Sequence, residues 1–321
     1  MTNQLPLIEN LLPAFFDEDA LHVAPVQLCR MDVRGQRYYF KPDSEILYPS
    51  VTTITGKTMP TPPHLIKWIA EKGVEQANEI KDAASEYGTF MHAMNTKFLI
   101  EKYIDLDSMG VQIERYCSEN NIKAGADWND KICNDLLCFA QFVYERKVQP
   151  LFIESSLLHE EIGYAGTIDL VCRMTWRRKE IVALLDYKSG RKGFYESNKL
   201  QLAAYHQAVI HNFRDLIPIT ETFNWAPTDF QGTTPTYKLE CQTDKDGLVF
   251  EKFMRLKALF DMDVKPTTAF IQPCGLLVYA NDPIHNLRVH EMAEIVKTKK
   301  PTKRKKRAKK QPAKKSKRRA K

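Results

Sequence analysis

Between residues 64 and 146, apolar side chains recur three and four positions apart, the spacing of one face of an α-helix. Leu65, Trp68, Ile69 and Gly73 fall roughly on one face and predict a helix over 64–81. Phe90, Met94, Phe98 and Ile104, with His92 beside them, predict a second over 82–104, and Ile132, Leu136, Phe139 and Val143 a third over 127–146. Trp68 and Trp128 fit the cores of such helices better than base-stacking platforms. Elsewhere the pattern is that of strands. Val26, Leu28, Met31 and Val33 run to an Arg34-Gly35 turn and on to Tyr38, Tyr39 and Phe40, while Pro49-Ser50-Val51-Thr52-Thr53-Ile54-Thr55 is β-branched up to Gly56, so 24–56 reads as short strands. Pro60, Pro62 and Pro63 mark a break.

Beyond 150 the segments shorten. Residues 151–158 and 166–174 read as strands, Trp176-Arg177-Arg178-Lys179 as an exposed turn, and Ile181-Val182-Ala183-Leu184-Leu185 as a buried strand. A helix over 197–211, strands over 217–225 and 235–241 and a helix over 246–262 complete the pattern. Residues 1–22 show no period, and no internal repeat is evident. This sequence of elements predicts an α/β protein.

Composition narrows the class. Of 321 residues 43% are hydrophobic and 10% aromatic, enough for a substantial core. The apolar runs are too short to span a bilayer. The N-terminus turns acidic at Asp17, Glu18 and Asp19 and resembles neither a secretory signal nor an Arg-rich transit peptide, so the expected location is intracellular. The seven cysteines include no C-x-x-C pair; they read as reduced, mostly core residues rather than a disulfide frame or zinc site.

Charge divides the chain in two. Of 47 Lys/Arg, 16 lie in 297–321, which contains no acid; the remaining 31 stand against 40 Asp/Glu, leaving 1–296 at about −9 by formal charge. The Pro-punctuated basic stretch carries Lys303, Arg304, Lys305, Lys306, Arg307, Lys309, Lys310, Arg318 and Arg319. It is expected to be disordered alone and suited to phosphate contacts, since released counterions drive such binding. It also has the form of a nuclear-localisation signal.

Four D/E-x-K triplets occur: Glu79-Ile80-Lys81, Glu145-Arg146-Lys147, Asp186-Tyr187-Lys188 and Asp263-Val264-Lys265. Only Asp186-Tyr187-Lys188 closes a buried strand, where a period of two projects Asp186 and Lys188 to one side. A hairpin turning through 175–180 would set Asp169 across from Asp186. Two carboxylates so close repel unless a positive charge lies between them, and an oxygen-rich set favours Mg²⁺ or Mn²⁺. The alternative is a surface ion pair between Asp186 and Lys188.

Gly-Tyr-Ala-Gly-Thr-Ile-Asp (163–169), Leu-Leu-Asp-Tyr-Lys-Ser-Gly (184–190) and Gln-Leu-Ala-Ala-Tyr (201–205) resemble the PD-(D/E)xK nuclease superfamily. The likeness is to its RecB-like branch, which includes phage-encoded exonucleases and the mitochondrial genome maintenance exonuclease. Gly88-Thr89-Phe90-Met91-His92 matches that branch's upstream Gly-Thr-x-x-His helix, and Pro49-Ser50-Val51-Thr52-Thr53-Ile54 is similar to an N-terminal signature of the phage group. The motifs come in family order, and with the N-terminal stretch the likeness covers roughly 45–260. Where the family often has an acid shortly after the His, this chain has Asn95 and Thr96.

The resemblance implies a restriction-endonuclease-like core, a mixed central sheet flanked by helices, with N-terminal β and helical additions. The domains would be a β-rich extension over 1–60, the nuclease domain over 61–290 and the basic tail over 297–321. It implies Asp169 and Asp186 as carboxylate ligands, the Tyr187 carbonyl as a backbone ligand, His92 as the ligand from the helix, and Glu154 as a lesser one. Lys188 would orient or deprotonate the attacking water, and Gln201 and Tyr205, one helical turn apart, would brace the site or touch the scissile strand. The members with an iron–sulfur cluster carry a Cys cluster near the C-terminus; with only Cys241 and Cys274 beyond Cys172, none is expected here. The implied activity is metal-dependent DNA hydrolysis, with an exonuclease favoured. A structure-specific or restriction-type endonuclease stays open, as does a nucleic-acid-binding or packaging protein with an inactive core. The likeness fits a phage or other viral source, acting in replication, recombination or repair: in the host cytoplasm, or in the nucleus of a eukaryotic host.

Overall fold

The computed structural model describes residues 27–263, apart from Arg34, Asp43, Lys192, 214–216 and Gln231. The basic tail, Cys274 and the part of the expected nuclease domain beyond 263 lie outside the described residues.

The centre is a mixed five-stranded sheet. β4 (Gln149–His159), β5 (Tyr164–Trp176), β6 (Lys179–Tyr187), β7 (Glu221–Pro227) and β8 (Tyr237–Cys241) lie side by side in that order. Only β6 and β7 run parallel, and the 18-residue helix α6 (Glu196–Phe213) makes the crossover that a parallel pair requires. β5 and β6 form the expected hairpin, closing at Trp176↔Lys179 with Arg177 and Arg178 both at positive φ, 48° and 65°.

Strand alternation sorts the core into two layers. Leu170, Cys172, Met174, Ala183, Leu185, Phe223 and Trp225 pack beneath α3 (Val74–Glu101), α4 (Met109–Asn120) and α5 (Trp128–Arg146). Val171 and Leu184 turn the other way, beneath α1 (Val51–Thr58), α6 and α7 (Leu248–Asp263). Each fully buried Leu, Val or Phe contributes about 1.5–3 kcal/mol. The chain is thus mixed α/β, a five-stranded sheet flanked by helices. β1 (Cys29–Val33), β2 (Gln36–Phe40) and β3 (Tyr48–Pro49) form a separate small sheet, joined to the start of β5 through a Ser50↔Ala165 bridge.

Several sequence expectations need correction. Residues 51–58 are helix, not strand: the Ser50 hydroxyl caps it by accepting from Thr53 N at 2.9 Å, and the Thr55 hydroxyl bonds back to the Val51 carbonyl. Capping, with burial of Val51 and Ile54 in the sheet's α6/α7 layer, overrides β-propensity. The helix expected over 64–81 breaks at Gly73, φ 83°, into α2 (Pro63–Lys72) and the start of α3. α2 buries none of its residues, so Trp68 is not a core side chain, whereas Trp128 is buried and stacks on Phe90. α3 then runs unbroken to Glu101, ending on left-handed Lys102, and Ile104 falls beyond it. α4 has no counterpart among the expected elements, although Met109, Ile113 and Cys117 bury its face at a spacing of four. No helix among the described residues is long and apolar enough to cross a membrane.

Candidate metal centre

The β5–β6 pairing ends at Leu170↔Leu185, and the next step of the same register sets Asp169 across from Asp186. The β4–β5 register passes from Ile153↔Leu170 to Ser155↔Ile168, which sets Glu154 across from Asp169. Three carboxylates therefore occupy one row across three strands. Glu154 is at φ 43°, a conformation unfavourable for a side chain with a Cβ, and the pleat is interrupted there. On β5, Leu170 belongs to the α3/α5 layer while Ile168, two residues away, belongs to the α6/α7 layer.

α3 supplies the nitrogen. Tyr87, Phe90, Met91 and Met94 bury the inner face of α3 and fix His92, whose ring meets Tyr187 edge-on at 5.6 Å. His92 Nδ1 lies 3.2 Å from Glu154 Oε1 and 3.5 Å from Asp169 Oδ1. One ligand atom from each of His92, Glu154 and Asp169 lies within 4.8 Å of the others. Asp169 Oδ2 accepts the Tyr187 N–H at 2.5 Å. Burial opposes a charge on His92, but Asp169 and Glu154 outweigh it and hold the imidazole pKa well above its ordinary value.

Asp186 has a different setting. Its Oδ2 takes the Lys188 ammonium at 2.7 Å and the Asn224 amide at 2.9 Å. Burial pushes its carboxyl up to about 6; Lys188 pulls against the rise and the charge of Asp169 adds to it. The Asp186–Lys188 ion pair exists, but with Asp186 only 1% exposed it is not a surface pair.

α6 braces the lysine. Lys188 Nζ donates to Gln201 Oε1 at 3.0 Å, and Gln201 Nε2 donates to the Tyr205 hydroxyl at 3.2 Å. Both residues are buried, a bracing arrangement within the protein. The Tyr205 ring fills the place beside Gly166, where a Cβ would stand 2.4 Å from its Cε1. That contact gives the glycine of Gly-Thr-Ile-Asp a physical reason.

The loop after Lys188 is pinned from the other layer. Arg191 pairs with the fully buried Asp135 of α5, which also accepts the Tyr87 hydroxyl at 2.6 Å, and Arg191 Nη1 donates to the Ser189 carbonyl at 3.1 Å. Gly88 brings α3 against this loop, a Cβ there meeting Ser189 Oγ at 3.3 Å. Asp135, Arg191, Tyr87 and Asn224 are not among the residues that the sequence pattern singles out. Asp135 has a readable signal, an acid on the apolar stripe of α5.

The structure thus gathers His92, Glu154, Asp169, Asp186, Lys188, Gln201 and Tyr205 in one place. Glu154 stands inside the tight cluster and Asp186 beside it, reversing their expected rank. The Tyr187 N–H is committed to Asp169. Two carboxylate oxygens and an imidazole nitrogen suit a divalent cation, whose ligands at about 2.1 Å would stand roughly 3–4 Å apart. The nitrogen makes Mn²⁺ a better match than Mg²⁺. No family model and no curated protein sequence matches this chain.

Proposed function

We propose that this protein is a divalent-metal-dependent DNA nuclease acting as an exonuclease, on a restriction-endonuclease-like core with Mn²⁺ or Mg²⁺ as the resident cation. The observation that carries the reading is the register row Glu154–Asp169–Asp186, with His92 at one end and Lys188 over the other. His92, Glu154, Asp169 and the Tyr187 carbonyl would hold the cation with Asp186. When bound, it supplies charge against the phosphodiester and lowers the pKa of water. The protein's own groups do the rest. Lys188, steadied by Gln201 and Tyr205, presents an ammonium that can orient the attacking water and offset charge on the phosphorane. The Arg191–Asp135 anchor keeps the loop carrying Lys188 from drifting. The basic tail would add phosphate contacts to those of a body that is acidic in net charge.

Linear single- and double-stranded DNA, labelled at either end and incubated with Mn²⁺, tests this. Wild type should cleave, and Asp186→Ala and Lys188→Ala should not; cleavage surviving both substitutions would overturn the reading. A circular single strand should stay intact, and its cleavage would assign an endonuclease instead. Binding without metal-dependent cleavage would assign the packaging alternative.

A further inference from the structure

The polar row that contains the carboxylates continues onto β7, where the parallel pairing sets Asn224 beside Asp186. Asn224 is fully buried between Phe223 and Trp225, both of which point into the α3/α5 layer. Its Nδ2 donates to Asp186 Oδ2, while its Oδ1 has no hydrogen-bond partner among the described residues. A buried acceptor without a partner is destabilising, a cost that a leucine of similar size would not incur. A reason for the amide must therefore lie in what its donor does.

That donor and Lys188 both fall on one oxygen of Asp186, Oδ2, while Oδ1 accepts no hydrogen bond from the described residues. Asp169 follows the same plan, with Oδ2 tied to the Tyr187 N–H and Oδ1 turned to His92. Lys188 reaches Asp186 Oδ2 on a flexible four-carbon stem, which fixes a carboxylate less firmly than a short side chain does. Asn224, on a central strand, has no such freedom.

We propose that Asn224 is a positioning residue of the metal centre, locking the rotation of the Asp186 carboxylate by holding Oδ2, so that Oδ1 stays available to a cation seated at the neighbouring His92–Glu154–Asp169 cluster. This rests on the metal-centre reading above. The test is Mn²⁺ binding to full-length protein, measured by electron paramagnetic resonance, beside thermal unfolding without metal. Asn224→Leu should unfold no earlier than wild type, because it removes an orphaned carbonyl, yet bind Mn²⁺ about 10–100-fold more weakly, as for other partners that orient a metal ligand. A residue that only fills space would show the reverse, lower stability with unchanged affinity. Affinity within twofold of wild type overturns the proposal. Should Asn224→Leu fail to fold, the smaller Asn224→Ala also removes the donor; its Mn²⁺ affinity should fall at least tenfold, and affinity within twofold of wild type overturns the proposal. If wild type itself binds no Mn²⁺, the metal-centre reading fails and takes this one with it.

Discussion

Asp169 and Asp186 stand across from each other on adjacent strands, and both are buried, yet their charges are balanced in different ways. Asp169 faces an imidazole and accepts a neutral backbone N–H, so its positive neighbour is a proton that can leave. Asp186 is bound to a lysine ammonium and an amide. The first site can exchange its cation and the second keeps its own. On the proposed reading one row of carboxylates would divide the work: the Glu154–Asp169 end would receive the metal, and the Asp186 end would carry the group that addresses water and phosphate.

The sharpest way to break this division is to remove each acid in turn. Asp169→Ala should abolish saturable Mn²⁺ binding together with cleavage. Asp186→Ala should abolish cleavage while leaving weakened Mn²⁺ binding, since His92, Glu154 and Asp169 remain. Equal loss of binding in both variants, measured by calorimetry, would refute the asymmetry.

Lys188→Met should lower the cleavage rate about 10²–10⁴-fold, the range for a positioned proton-transfer group. Its Mn²⁺ affinity should be unchanged or higher, because a neighbouring positive charge is gone. Weaker Mn²⁺ binding in this variant would place the lysine at the metal end.

A smaller effect follows from the His92 proton. Its pKa is raised in the free protein by Asp169 and Glu154 despite burial, so at low pH the proton occupies the seat the metal needs. Affinity for Mn²⁺ should therefore rise with pH, up to about tenfold per unit for one displaced proton, and level off once pH passes the raised pKa. Calorimetry in two buffers of different ionisation enthalpy should register the released proton. Affinity constant from pH 6 to pH 9 would contradict the exchange.

The smallest expected change concerns the tail. Truncation after Val296 should leave chemistry on short oligonucleotides intact while weakening DNA binding. The log–log salt slope should flatten by about 0.9 for each duplex phosphate that the tail no longer neutralises. An unchanged slope would mean that the body engages the phosphates itself.

Much of this site is legible in the sequence because its parts follow short-range rules. A period of two and a two-residue turn are enough to pair Asp169 with Asp186 and to put Lys188 beside it. A four-residue spacing on one helix puts Gln201 and Tyr205 together. Glu154 ranks too low on sequence because its closeness to His92 depends on a left-handed residue in mid-strand, which no strand pattern announces. Asn224 escapes a sequence reading because its partner lies 38 residues away across a crossover connection, where the register follows from tertiary packing. The helix over 51–58 reads as strand for a related reason. A capping serine and a buried seat decide it, and only the serine can be seen in the sequence.

The turn between β5 and β6 has a consequence for how reliably the carboxylate row is assembled. Two-residue hairpin loops with positive φ at both positions favour Asn-Gly, and here both positions are arginine. A turn so disfavoured locally does little to choose the alignment of its strands. The alignment is enforced instead by apolar cross-strand partners such as Cys172 with Ala183 and Leu170 with Leu185. An offset of one residue would carry Asp186 to the opposite face and dismantle the carboxylate row. Proofreading of the proposed site's geometry is thus assigned to the oily interior rather than to the turn.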